Sequence, residues 1–149
     1  MIDDIESALK KSALFKGMSH KQIRQVVTHL KPKAIDLKNG EYLYRRGDPA
    51  DCGWVVLSGR FMAQHSSLSH PFESVDYHVG AVTGLLGLVE PGAHRPVSLI
   101  ADGPAKLIEI RSDNIAQLKN SAKMIIWENI SHILIKKLFY CRELASLGE

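Results

Sequence analysis

The sequence predicts a mainly β domain with flanking helices: a β-roll, or jelly roll, between short N-terminal helices and one long C-terminal helix. Three observations carry this expectation. Between Lys33 and Arg111 the chain runs as short β-like segments broken by turn signals, apolar residues before Lys33 recur at helical spacing, and Ser121 to Leu147 contains neither Gly nor Pro. At 149 residues, 45% of them hydrophobic, the chain can build one core and has little room for a second. The expected organisation is a single domain over 1–149, divided into N-terminal helices (1–32), the β-roll (33–111) and C-terminal helices (112–149).

In chain order, Ile5, Leu9, Ile23, Val26, Val27 and Leu30 share helical periodicity, interrupted at Gly17 and restarted at Ser19, an N-cap residue type. The runs YLY, GWVVLSGRFMA, VSLIA and KLIEI then read as strands. Asn39-Gly40, Gly47-Asp48-Pro49, Ser58-Gly59, Pro91-Gly92 and Asp102-Gly103-Pro104 supply the turns between them. Many short strands with tight turns indicate a roll. Ser112 is the expected cap of a short helix, DNIAQLK, and the final run would extend roughly 40 Å at about 1.5 Å per residue. Ile126, Ile130, Ile133, Tyr140, Leu144 and Leu147 form a heptad-like seam interrupted by Lys137, beside a second stripe of Trp127, Leu134, Leu138 and Cys141. Two stripes suggest two partners: the roll on one side, and the same helix of a second chain on the other, giving a two-fold homodimer. One wide face buried in a single core is the alternative.

Composition narrows the function. A formal net charge of +3, with Lys and Arg interleaved among acids, leaves no electrostatic footprint for nucleic acid. Two cysteines are too few for a disulfide framework, a four-thiolate cluster or a paired-thiolate zinc site, and a reducing cytoplasm fits them. The N-terminus MIDDIESALKKSALF is not a signal peptide, and no apolar run approaches the roughly 20 residues that span a bilayer.

The order of N-terminal helices, KNGEYLYRRGDPADCGWVVLSGRF, the glycine-punctuated HVGAVTGLLGLVEPGAHRPVSLIA and a final long helix resembles the cyclic-nucleotide-binding domain. It is most similar to the sensor half of the catabolite activator and FNR group of bacterial regulators. Glycine turns at Gly40, Gly47, Gly59, Gly80 and Gly84, with Glu41 and Asp48, are its most specific marks. The resemblance implies a double-stranded β-helix and a phosphate-binding cassette, in which a Gly-Glu pair and an Arg hold the ribose and cyclic phosphate of cAMP or cGMP. Gly84 and Arg95 match that pattern, so Gly84, Leu85, Leu86 and Gly87 are the implied cassette backbone and Arg95 the implied anion anchor. A planar, permanently charged fork suits a phosphate. A surface Arg on the loop PGAHRP is the alternative for Arg95. Cys141 and Arg142 fall where the group places residues that meet the base from the helix side; a buried small Cys and a solvated Arg are the simpler account of them.

Two positions depart from the pattern. Leu85 stands where the family has its Glu, and the lost charge-assisted bond to a ribose hydroxyl is worth about 1.5–3 kcal/mol, roughly tenfold to hundredfold in affinity. Pro96 follows the Arg and has no N–H to give a phosphate. Glu90 is the available substitute acid, Ser98 the available substitute donor, and His94 stands beside the anchor.

Other chemistries find less support. His65, His70 and His78 lack a His-x-His pair, and His20, His29, His94 and His132 have no partner at metal-ligand spacing, against a metal-dependent jelly-roll enzyme. For a haem sensor, Cys52, Cys141 or any His could be an axial ligand without discrimination. Neither a G-x-S-x-G elbow nor a P-loop occurs, and the chain stops at Glu149, directly after the long helix, without a helix-turn-helix. No enzyme activity, metal or resident cofactor is expected. Three roles remain: a sensor of a cyclic nucleotide or related phosphorylated molecule signalling through its last helix, a degenerate sensor serving as a dimerisation or docking module, or the sensor half of a transcription regulator.

Overall fold

The computed structural model describes residues 2–64 and 72–147, with side chains described for 5–64 and 74–139. Helix α1 (Ile2–Lys11), a 3-10 turn η1 (Ala13–Phe15) and helix α2 (His20–Leu30) precede the strands. Ser19 caps α2 as expected. Its side chain accepts the N–H of Gln22 while the Gln22 side chain accepts that of Ser19, a reciprocal capping box.

The strands are β1 (Lys33–Leu37), β2 (Tyr42–Tyr44), β3 (Cys52–Ser58), β4 (Arg60–Gln64), β5 (Phe72–Asp76), β6 (Val82–Thr83), β7 (Ser98–Ala101) and β8 (Ala105–Arg111). They form two antiparallel four-stranded sheets, ordered β1-β8-β3-β6 and β2-β7-β4-β5. This is the jelly roll the turn spacing predicted. A four-residue helix α3 (Leu86–Val89) interrupts the roll, and α4 (Ser112–Ala116) and α5 (Asn120–Leu147) follow it.

The alternation of β3 shows why two cores exist. Cys52, Trp54 and Val56 point between the sheets, where Phe61, Ala63, Leu99, Ala101 and Leu107 meet them. Val55 points the other way, with Ile108 and Ile110 of β8, into a helical layer built from Leu9, Leu14, Phe15, Val26, Leu30, Leu85, Leu88, Ile126 and Ile130. A strand buried on both faces reads as the near-continuous apolar run CGWVVL.

Ser112 does not cap α4. Its N–H and its hydroxyl both donate to the Asp51 carbonyl, so Arg111 occupies the cap position without a side-chain bond and Ser112 becomes the first helical residue. On α5, Ile126 and Ile130 are buried in the helical layer and Ile133 packs against it, whereas Trp127, Leu134 and Leu138 are exposed. The two stripes therefore have different environments within the chain. Tyr140, Cys141, Leu144 and Leu147 lie beyond the described side chains. Among the described residues no helix is long and apolar enough to cross a membrane.

Candidate functional site

The cassette begins where β6 ends. Gly84 turns the chain at φ +72°, and a Cβ there would lie 2.6 Å from Cζ3 of Trp54. A Cβ on Gly87 would lie 2.2 Å from the Cys52 carbonyl oxygen. Both glycines are thus required by the close seating of α3 on β3, whatever the segment binds. Leu85 opens the short helix, and its side chain is 5% exposed within the helical layer. Leu86 is half-buried.

Arg95 is held by its own backbone before its side chain is considered. Its N–H donates to Asp48 O at 2.8 Å, and its carbonyl accepts from Gly47 N at 2.8 Å. The side chain then runs inward and is only 4% exposed, which overturns the alternative of a surface Arg on the PGAHRP loop. Nη1 donates to Gly84 O at 3.0 Å and Nη2 to Cys52 O at 2.7 Å. The guanidinium carbon sits 4.5 Å from the Tyr44 ring centroid and 5.1 Å from that of Trp54, and the two rings stack at 5.6 Å.

No carboxylate among the described residues pairs with this charge. Two carbonyl dipoles and two aromatic faces compensate it instead. The Trp54 indole N–H, in the same enclosure, is buried with no acceptor. Burial pushes the Tyr44 hydroxyl above the usual phenol range, with Tyr77 adding to the effect and Arg95 opposing it.

The remaining expected residues fall as follows. Pro96 is exposed, and Ser98 is buried with its Oγ accepting the Arg46 N–H at 2.8 Å. That bond takes one of its two lone pairs, while its O–H, the donor the sequence offered, is not used by it. Glu90 is exposed at the end of α3, and exposed His94 donates from Nδ1 to Gly47 O at 2.9 Å. Gly84, Gly87 and Arg95 are brought together, whereas Leu85 faces the helical layer. The side chains of Cys141 and Arg142, and all of His65 and His70, lie outside the described residues. Tyr44 and Trp54 are absent from the expected site. Their aromatic character was visible on strands β2 and β3, but only the pairing of the sheets shows that they flank Arg95.

Cys52 adds no reactive thiol. Burial, with Glu109 and Asp51 nearby, pushes it up to about 12, and Sγ donates to Glu109 Oε1 at 3.7 Å. Among the described residues no group of three His, Cys, Asp or Glu side chains gathers as a metal site.

A family model described as the cyclic nucleotide-binding domain matches residues 34–122, most of the roll and the start of α5. The chain belongs to the cyclic nucleotide-binding domain family. This is a family of regulatory ligand-binding domains. The fold is similar to the Thermus thermophilus catabolite activator protein, with a TM-score of 0.76 at 18% identity over 91% of this chain. It spans 62% of that protein's length. A cyclic nucleotide-binding domain from Methylobacillus flagellatus KT gives a TM-score of 0.79 at 19% identity, covering 97% of this chain and 83% of that one. The regulatory domain of Toxoplasma gondii PKA, solved with cAMP, gives 0.68 at 22% identity, covering 87% and 49% respectively. No curated protein matches the sequence.

Proposed function

We propose that this chain is a regulatory module of the cyclic-nucleotide-binding family whose cassette is latched from inside by Arg95 and whose output is pairing of α5 with a second copy. The engagement of Nη1 and Nη2 by the Gly84 and Cys52 carbonyls carries the reading. The residue that would grip a phosphate is tied to the cassette itself, and the neighbouring positions contribute an aliphatic side chain at Leu85 and no N–H at Pro96.

For the output, Met124 is 71% exposed and Leu138 55%, and with Trp127 and Leu134 they follow heptad spacing through Ser131. Ile135 and Phe139 flank this seam and are also exposed. Such a length of apolar helix is suited to a copy of itself in a two-fold interface.

A second reading, a sensor that opens to an acceptor-bearing ligand such as cAMP or cGMP, is favoured by the orphaned Trp54 N–H and by the guanidinium, which has five N–H groups for two carbonyl acceptors. Titration calorimetry with cAMP and cGMP, alongside sedimentation equilibrium of the wild type and of Leu134→Glu/Leu138→Glu, separates the two. The latched module predicts no binding heat at micromolar nucleotide, and a dimer that becomes a folded monomer in the variant. Micromolar binding refutes the latch, and a wild-type monomer refutes the output.

A further inference from the structure

A concentration of lysines and imidazoles lies apart from the cassette. Lys10 and Lys11 end α1, Lys16 follows η1, His20 begins α2, and His78 comes from the loop before β6; all five line one cleft of about 360 Å³. Among the described residues, no acid lines it. Two features bring these distant segments together. Gly80 sits so closely on the end of α1 that a Cβ would lie 2.5 Å from Lys11 O, which holds the His78 loop against the helix. Lys10 Nζ lies against the His20 ring, 3.0 Å from Nε2.

The nearest acids in sequence are engaged elsewhere: Glu6 pairs with Arg24 at 3.6 Å and Asp76 with Arg60 at 3.5 Å. Lysines in the last turn of α1 complement its C-terminal carbonyls, which accounts for Lys10 and Lys11. It does not account for Lys16, His20 and His78 on the same cleft.

We propose that this cleft is an anion site for a multiply charged phosphate group carried by a small molecule. Three lysines gathered on one cleft repel one another, and a polyanion relieves that repulsion while gaining from each ammonium. Compact lysine ammoniums suit phosphate oxygens, the half-buried Met18 offers an apolar contact to the rest of the molecule, and the volume lies in the range of small-ligand sites, roughly 300–1,000 Å³. The floor of the cleft is tied to α5, because Asn129 Nδ2 donates to Leu14 O at 2.8 Å and to Lys16 O at 3.0 Å. The site shares no residue with the cassette and does not depend on whether the latch holds.

The test is calorimetric titration of the full chain with pyrophosphate, for the wild type, Lys11→Gln/Lys16→Gln and the charge-matched control Lys33→Gln/Lys106→Gln. Thermal unfolding verifies that each variant is folded. The expected result is saturable binding that weakens at least about tenfold in the cleft variant, remains in the control and is kept by Arg95→Lys. Absence of saturable binding, equal binding of sulfate, equal loss in the control, or binding of a hexaglutamate peptide in place of pyrophosphate overturns the proposal. Loss of binding in Arg95→Lys with retention in the cleft variant assigns the anion to the cassette and overturns both this site and the latch.

Discussion

Replacing Arg95 by Ala tests the latch directly through stability. The substitution removes two charge-assisted hydrogen bonds, to Gly84 O at 3.0 Å and Cys52 O at 2.7 Å, and the contacts with the Tyr44 and Trp54 rings. Each such bond contributes about 1.5–3 kcal/mol and a desolvated cation–π contact about 1–2 kcal/mol. The Gly84 bond belongs at the low end, because that carbonyl also accepts from Gly87 N at 3.1 Å. The expected loss is about 4 kcal/mol, a fall in melting temperature of roughly 8–16 °C for a chain of this size. Arg95→Lys retains charge but cannot span both carbonyls, so it loses about half as much. Urea denaturation followed by tryptophan fluorescence and circular dichroism measures both, and coincident transitions establish two-state behaviour. A loss below about 1 kcal/mol in Arg95→Ala refutes the latch, since a residue that spends its charge on holding the cassette cannot be removed at so little cost.

Three other outcomes follow from particular contacts. In a Cys141→Ser background, Cys52 resists alkylation at pH 8 until the chain is unfolded, because its thiol is held up to about 12. The folded pKa is raised above the ordinary 9.0, so the contribution of this thiol is fully present below pH 9 and is lost as pH rises toward about 12; Cys52→Ala flattens the decline in urea midpoint between pH 8 and pH 10. Asn129→Ala removes the bonds to Leu14 O and Lys16 O that clamp η1 to α5, at about 1–2 kcal/mol by denaturation, with faster amide exchange in η1. Gly87→Ala destabilises the chain more than Ala substitution at exposed Gly92, because a Cβ at 87 meets the Cys52 backbone at 2.2 Å, whereas at 92 the strain is only that of a side chain at φ +94°, with nothing within 4 Å.

The roll was legible because its signals are local. Asn39-Gly40, Ser58-Gly59 and Asp102-Gly103-Pro104 mark reversals wherever the strands end up, and the absence of Gly and Pro from Ser121 to Leu147 marks a continuous helix. β1, β5 and β6 were not read as strands: KAIDL is short and weakly patterned, FESVD is mostly polar and defined by its pairing with β4, and a two-residue strand is defined only by its partner β3. Sequence named Gly84 and Arg95 as candidates but not the direction of the Arg95 side chain. That direction is decided by Tyr44 and Trp54, which come from other strands and meet only when both sheets are formed. The cap at Ser112 failed for a related reason, since the Asp51 carbonyl that captures its hydroxyl is 61 residues away in sequence.

The departure at Leu85 and the matching Arg95 lie in different layers, which yields a last prediction. Leu85 belongs to the helical layer with Val55 and Leu88, whereas Arg95 lies against Trp54, which faces the space between the sheets. A nucleotide would have to open the latch, at about 3–4 kcal/mol, and forgo the bond from the missing acid, about 1.5–3 kcal/mol, before any gain is counted. Their sum is at least about 4.5 kcal/mol, enough to move a micromolar site to roughly millimolar. Leu85→Glu alone therefore does not create nucleotide binding. It places a carboxylate among apolar neighbours, costs about 3 kcal/mol or more, and leaves Arg95 engaged with Gly84 O and Cys52 O. Calorimetry of the variant with cAMP checks this. Binding gained at micromolar concentration shows that Leu85 can turn from the helical layer toward the ligand and that Arg95 is released at little cost, and the latch is then wrong.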